Sequence, residues 1–217
     1  CIPHYMDYTL KEARDWPEFK RRLQPDPARI PANLDKLIAD CEASNRPIIF
    51  HNASMMGWIR NWMGVENMSY LMYDARDVYA DMVMTLADLT CWAMDIVLPK
   101  VKADMAFGWE DICGKSGPLV SPAIFDECVA PGYRKIRQRL EHYGVKLLGI
   151  DSDGDVSALV GHWLDAGVNF HFPVEVGTWG GDALALRRRY GRELRVFGHF
   201  NKLALERGRP AIRAELD

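Results

Sequence analysis

The 217-residue sequence carries no basic excess, no long hydrophobic run and no paired-cysteine motif. Lys and Arg number 27 against 30 Asp and Glu, a net charge of −3. Without surplus positive charge a chain has little with which to neutralise a phosphate backbone, which argues against nucleic acid as a partner. The apolar runs fall well short of the roughly 20 residues that a membrane-spanning helix needs. Cys1 to Tyr8 lack the basic-then-apolar pattern of a secretory leader, so the expected location is the cytoplasm. The five cysteines (Cys1, Cys41, Cys91, Cys113, Cys128) are odd in number and widely spaced, which excludes a disulfide framework and points to reduced thiols. Cys91 and Cys128 fall among helix-pattern residues and read as packing groups. No HExxH pairing exists, so His4, His51, His142, His162 and His171 each read as structural. No repeat, low-complexity tract or linker divides the chain, so residues 1–217 are expected to form one domain. Cys1 in place of an initiating Met suggests a trimmed chain.

What is present is α/β patterning. Trp16–Leu23 and Asn33–Ala43 have helical spacing, and Pro47-Ile48-Ile49-Phe50 reads as a short buried strand. Gly57–Met63 and Val65–Tyr73 read as two short helices and Ala75–Val101 as a long one, with Val78, Met82, Leu86, Leu89 and Ala93 on one face. Ala103–Phe107 is a strand candidate. Ser121-Pro122 is a helix start, with an N-cap hydroxyl and a first-turn proline, and Gly144 is the matching stop. From there strands (Val145–Ile150, Val168–Val174, Leu194–Phe197) alternate with helices (Val156–Asp165, Asp182–Tyr190, Leu203 onward). Such alternation implies a parallel sheet with helical crossovers. Five strands can be counted where a closed (β/α)₈ barrel needs eight. The sheet is therefore either open and doubly wound or part of a barrel.

Ligands of parallel α/β folds bind where strands end, and acids gather at these ends: Glu110-Asp111, then Asp151-Ser152-Asp153-Gly154-Asp155, then Glu175, with His199 and Asn201 at the last. Carboxylates converging on one rim repel each other unless a cation joins them. An EF-hand loop starting at Asp151 fails, because Val156 and His162 stand where Gly and Glu are required. A phosphatase pattern, apolar residues followed by Asp151-Ser152-Asp153-Gly154, fits locally, with one carboxylate as nucleophile, the other handling a proton, and Mg²⁺ offsetting the charge. Gly177-Thr178-Trp179-Gly180-Gly181 could cradle an anion at a helix N-terminus. Arg187–Arg189 reads as a solvated helix face. Met55-Met56 and the Trp58, Trp62 and Trp109 set read as core residues before they read as a substrate cage.

The stretch Gly108-Trp109-Glu110-Asp111-Ile112-Cys113-Gly114-Lys115-Ser116-Gly117-Pro118-Leu119-Val120-Ser121-Pro122 and its continuation from Phe125 to Ile136 resemble the uroporphyrinogen-decarboxylase superfamily. So do Asp153-Gly154, Ala166-Gly167-Val168, Val174-Glu175-Val176, Asn201-Lys202, Asn61 to Asn67 and the opening Ile2-Pro3-His4-Tyr5. The resemblance implies a partial (β/α)₈ TIM barrel with about five of its eight units, truncated at both ends. An Arg-x-x-Gly-Arg segment like that of the tetrapyrrole decarboxylases is absent, and the chain is more similar to the corrinoid-linked methyltransferase branch. That branch implies transfer of a methyl group from a small O- or N-methylated molecule to a corrinoid protein, with a divalent metal, zinc first, as Lewis acid. Its His-x-Cys positions fall on Asp151 and Asp153, and its acidic ligand on Glu175, 22 residues beyond Asp153. The metal set is then Asp151, Asp153 and Glu175, with Asp111 and His199 catalytic, Glu110, His51, Trp109 and Asn201 at the substrate, and a homodimer as an option. A decarboxylase, the Mg²⁺-dependent phosphatase and a non-catalytic fragment are the competing readings.

Overall fold

The computed structural model describes residues 5–217. Cys1 to His4, on which the trimmed-start reading and part of the opening match rest, lie outside the described residues. A short 3₁₀ turn, Ala13–Asp15, leads into α1 (Trp16–Arg21), followed by α2 (Leu34–Ala43), β1 (Ile49–His51), α3 (Gly57–Asp74), α4 (Arg76–Val97) and β2 (Met105–Trp109). A small antiparallel pair, β3 (Cys113–Gly114) and β4 (Gly117–Pro118), precedes α5 (Pro122–Ile124), a π-helical turn (Phe125–Val129) and α6 (Ala130–His142). Then come β5 (Leu148–Asp151), α7 (Val160–Asp165), β6 (Phe170–Val174), α8 (Ala183–Tyr190), β7 (Arg195–Gly198), a 3₁₀ turn at Lys202–Arg207 and α9 (Arg209–Leu216).

The local signals act as their chemistry requires. The Ser121 hydroxyl accepts the Ile124 N–H at 3.3 Å, and Gly144 follows α6 with φ 74°, a helix stop of the kind glycine favours. The two short helices expected on either side of Gly64 run on as α3, broken at that glycine (φ 79°, ψ 161°). The helix starting at Pro122 contains Pro131, which has no N–H to give its i−4 carbonyl, and the chain passes through a π turn just before it.

The five main strands are all parallel and lie in the order β1-β2-β5-β6-β7. Sequence order and spatial order coincide, so the sheet never reverses direction as a doubly wound sheet must. Of the two arrangements left open by strand counting, this order is the one consistent with part of an α/β barrel. A monotonic parallel order with crossovers of one hand puts the helices on one face. That face holds the core: Phe125, Ile136, Leu148, Ile150, Leu159 and Trp163 are buried there with α4 residues such as Met82 and Leu86. On the other face Phe107 packs against Phe170 and Phe172, and Phe172 against Phe197. Together with Pro47, Ile49 and Met105 they line an open apolar hollow of about 420 Å³ to which no helix contributes. The result is a mixed α/β fold consistent with part of an α/β barrel.

One expectation is corrected by this layout. The strand expected at Pro47–Phe50 is not fully buried: it spans Ile49–His51, Phe50 packs partly buried against the core, and Ile49 remains 53% exposed. The strand is at the sheet edge and one of its faces looks into the uncovered hollow. An apolar run alone does not tell which face of a strand will be covered. The free cysteines behave as read, with Cys91 and Cys128 buried. Among the described residues no helix is long and apolar enough to cross a membrane.

Candidate functional site

Because the strands are parallel, His51, Trp109, Asp151, Val174 and Gly198 all end at the same edge of the sheet. In register, Trp109 lies opposite Asp151, Asp151 opposite Phe172, and Val174 opposite Gly198. The register shifts between His171 and Val174, a stretch containing Pro173, which has no N–H for the ladder. Backbone strain concentrates just past these ends. Ala53, Asp111 and His199 are the non-glycine residues with positive φ (62°, 48° and 65°) among those described. Each follows a strand terminus by one or two residues, and left-handed non-glycine residues gather at functional turns.

The strand ends are stitched together. The Glu110 N–H donates to the Asp151 carbonyl (2.7 Å) and the Ser152 N–H to the Phe172 carbonyl (2.8 Å). The Ser152 hydroxyl, fully buried, accepts the Ile112 N–H at 3.2 Å. Gly154 (φ 85°) is pressed against the β3 segment so tightly that a Cβ there would stand 2.4 Å from the Cys113 carbonyl oxygen. Its N–H donates to Glu175 Oε2 at 2.9 Å, and Lys202 Nζ lies 2.6 Å from Glu175 Oε1. One carboxylate thus ties the ends of β5 and β6 to the turn after β7.

Four acids come together here. Burial, with the charges of Asp111 and Asp153 added to it, pushes the Asp151 carboxyl up to about 6. Asp153 is raised by burial and by the charges of Glu175 and Asp111, with Lys202 acting the other way. Burial also acts to raise Glu175, but the hydrogen bonds from Lys202 and the Gly154 N–H win and hold it below the ordinary carboxylate range. Asp111 is exposed, and its carbonyl accepts from Arg60, whose Nη2 lies 4.0 Å from the Asp111 carboxylate. Arg60 stacks over the Trp109 ring, 5.8 Å from its centre.

The other expected site residues are placed differently. Glu110 is 1% exposed and turned into the protein. Its oxygens accept from the N–H groups of Met55, Met56 and Gly57, from the Ser54 hydroxyl and from the Tyr133 hydroxyl. It is a carboxylate at the N-terminus of α3, where exposed N–H groups favour negative charge, and it leaves no oxygen facing the rim. His51 Nδ1 accepts the Ala53 N–H at 3.2 Å. Asn201 caps the following turn through its side chain, accepting the Leu203 N–H at 3.1 Å. His199 is a minor contributor to the lowering of Asp182, the cap of α8, and is not among the groups that act on Asp151, Asp153 or Glu175. The glycine-rich loop does not offer an empty helix N-terminus, because Asp182 already accepts the Leu184 and Ala185 N–H groups. Burial pushes the Cys113 thiol up to about 12, so it is a protonated thiol at neutral pH.

Sequence reasoning missed two cations of the rim. Lys202 enters the sequence reading only within the family match, although a lysine one strand beyond a row of acids is a signal in itself. Arg60 belongs to α3, and nothing in its own neighbourhood in the sequence points to Asp111.

A divalent cation implied by the family resemblance can be tested against these side chains. Asp151 and Asp153 have no hydrogen-bond donor to their carboxylates among the described residues, and neighbouring acids raise both, Asp111 and Asp153 acting on Asp151 and Glu175 and Asp111 on Asp153, a conflict that a cation relieves. Their oxygens suit a hard divalent ion better than zinc bound through sulfur and imidazole. Glu175 is committed to Lys202, and among the described residues no group of three or more His, Cys, Asp or Glu is arranged to hold an ion. Asp151 and Asp153 are thus carboxylates free to meet such a cation, whereas the three-ligand set with Glu175 is not arranged to hold one in this conformation.

No family model matches this chain, and no curated protein does. Among solved structures it is similar to a methyltransferase from Methanosarcina mazei, with 18% sequence identity and a TM-score of 0.56 over 77% of this chain and 48% of that one. The chain spans about half the length of that neighbour. At this identity the likeness shows the α/β fold alone.

Proposed function

We propose that this chain is part of a (β/α)₈ barrel of the uroporphyrinogen-decarboxylase type, and that the whole protein moves a methyl group from a small O- or N-methylated molecule to a corrinoid carried by a partner protein. The observation that carries the reading is the meeting of Asp111, Asp151, Asp153 and Glu175 at the carboxyl edge of consecutive parallel strands, two of them with neither a hydrogen-bond donor nor an ion pair among the described residues. The fold shared with a protein named a methyltransferase adds coarse support.

In this reading Asp151 and Asp153 hold a divalent cation, which when bound supplies Lewis-acid polarisation of the methyl-bearing heteroatom. Without the cation the Asp151 carboxyl is raised to about 6; a bound cation would favour its ionised form, so cation binding would displace any proton it holds. Asp111, on its left-handed turn, aims a second carboxylate at the same place, and Arg60 restrains it. Lys202 neutralises Glu175 while no other cation does so.

The test is methylation of cob(I)alamin by a protein containing this segment, with divalent cation present and a panel of small methoxy and methylamine donors. Methylcobalamin should form, and Asp151→Asn with Asp153→Asn should abolish both its formation and cation binding by calorimetry. Cation bound to Asp151 and Asp153 but no methyl transfer from any donor would overturn the methyl-transfer reading and return the decarboxylase and phosphatase readings to the front.

A further inference from the structure

At the opposite edge of the sheet, where β7 begins, the chain makes an arginine cluster unrelated to the acidic rim. The segment from Arg187 to Arg195 carries Arg187, Arg188, Arg189, Arg192 and Arg195 with Glu193 as its one acid, in a chain whose overall charge is −3. Gly191 (φ 56°) ends α8 in a sharp turn, and that turn brings residues on either side of it together. Arg187, Arg192 and Arg195 line an open hollow of about 450 Å³.

Two of the three guanidiniums are fixed by the turn itself. Arg187 Nη1 donates to the Gly191 carbonyl at 2.5 Å and Arg195 Nη1 to the Glu193 carbonyl at 2.9 Å. Each guanidinium has five N–H groups, so most of the donors remain. Among the described residues none of the three makes an ion pair, whereas the adjacent Arg188 reaches Asp182 (3.6 Å) and Arg189 covers the Tyr190 ring (5.1 Å). The helix dipole accounts for Arg187 in the last turn of α8, and protection of an edge strand accounts for Arg195. Neither accounts for Arg192, or for three unpaired guanidiniums around one hollow.

We propose that Arg187, Arg192 and Arg195 form a binding site for a small multiply charged phosphate, such as a pyrophosphate or the phosphate chain of a nucleotide. Guanidinium groups match phosphate oxygens in paired, planar hydrogen bonds, and a hollow walled by three of them selects for more than one charge on the ligand. The site is independent of the methyl-transfer reading, since it lies at the other end of the strands.

The experiment is titration of the 217-residue protein with pyrophosphate, tripolyphosphate and ATP by calorimetry at constant low ionic strength, with sulfate as control. Pyrophosphate and tripolyphosphate should bind more tightly than sulfate. Arg192→Ala and Arg195→Ala should each weaken them roughly tenfold, while Arg14→Ala, which removes a remote exposed charge, leaves them unchanged. Both site residues are exposed, and an unchanged melting temperature without ligand verifies folding. Equal binding of tripolyphosphate and ATP supports the phosphate chain as the recognised group. Binding of ATP with tripolyphosphate silent, sulfate as tight as pyrophosphate, or full affinity in the double variant each overturns the proposal.

Discussion

Lys202 Nζ stands 2.6 Å from Glu175 Oε1, while Glu175 Oε2 takes the Gly154 N–H at 2.9 Å. The lysine side chain is 58% exposed and the glutamate 9%. One solvent-facing ammonium therefore satisfies a nearly buried carboxylate at the edge of an otherwise acidic cluster. Replacing Lys202 by Met should cost about 1–3 kcal/mol of stability, because it leaves a nearly buried carboxylate without its charged donor. It should at the same time tighten Mn²⁺ or Mg²⁺ binding by freeing Glu175 to join Asp153. Urea denaturation and calorimetric cation titration measure the two effects. Weaker cation binding in the variant would show that the lysine does not compete for the site.

Asp151 predicts a pH dependence of stability. Its carboxyl is raised in the folded protein from 3.8 to about 6, so between these values the folded state holds a proton that the unfolded chain has lost. Stability contributed by this group is full below about pH 4 and falls as pH rises through 6. Asp151→Asn removes the penalty. Since the group is only partly buried, the gain at pH 7.5 should be on the order of 1 kcal/mol, below the full linkage value. The variant and the parent should converge in stability near pH 4, and bound divalent cation should erase the difference at pH 7.5.

His171 works in the opposite direction. It is fully buried against Trp163, neither ring nitrogen has a partner among the described residues, and burial lowers its pKa from 6.5 to about 4. Between those values only the unfolded chain takes up the proton. Its contribution to stability is complete above pH 6.5 and is lost as pH falls toward 4, by up to about 3 kcal/mol. The imidazole resonances should stay those of a neutral ring at pH 5.5, and a titration midpoint near 6.5 would contradict this.

Glu110 is the anchor of the β2–α3 junction. Tyr133→Phe removes one donor from its buried carboxylate, and a lost hydrogen bond to a charged group costs about 1.5–3 kcal/mol. Glu110→Ala strands the Tyr133 hydroxyl and three backbone N–H groups and should cost more, about 3–5 kcal/mol. Chemical denaturation orders the two variants. Equal stability of Glu110→Ala and the parent would remove the anchoring role.

Much of the fold could be read in advance because its signals are local. Ser121-Pro122, Gly144, Asp182 and Gly191 start and stop helices through their own backbone and side-chain chemistry, and Gly64 breaks α3 where the spacing suggested a gap. The exposure of Ile49 was not legible, because it depends on what lies across the sheet. The candidate site was legible in part. Asp111, Asp151, Asp153 and Glu175 share a place because parallel strands end on one side. Glu110, next to Asp111 in the chain, alternates to the other face and is taken by α3, while His199 is not among the groups that act on Asp151, Asp153 or Glu175.

By itself the sequence determined the run of helices and strands, the parallel sheet they imply and the row of acids at strand ends, since each follows from residue type and spacing within a few positions. The tertiary structure alone decided the monotonic strand order, the uncovered phenylalanine face, the pairing of Lys202 with Glu175 and the burial of Glu110. Those depend on groups far apart in the chain whose charges, donors and surfaces meet only after folding, and there solvation and Coulomb energy, not local propensity, select the partner.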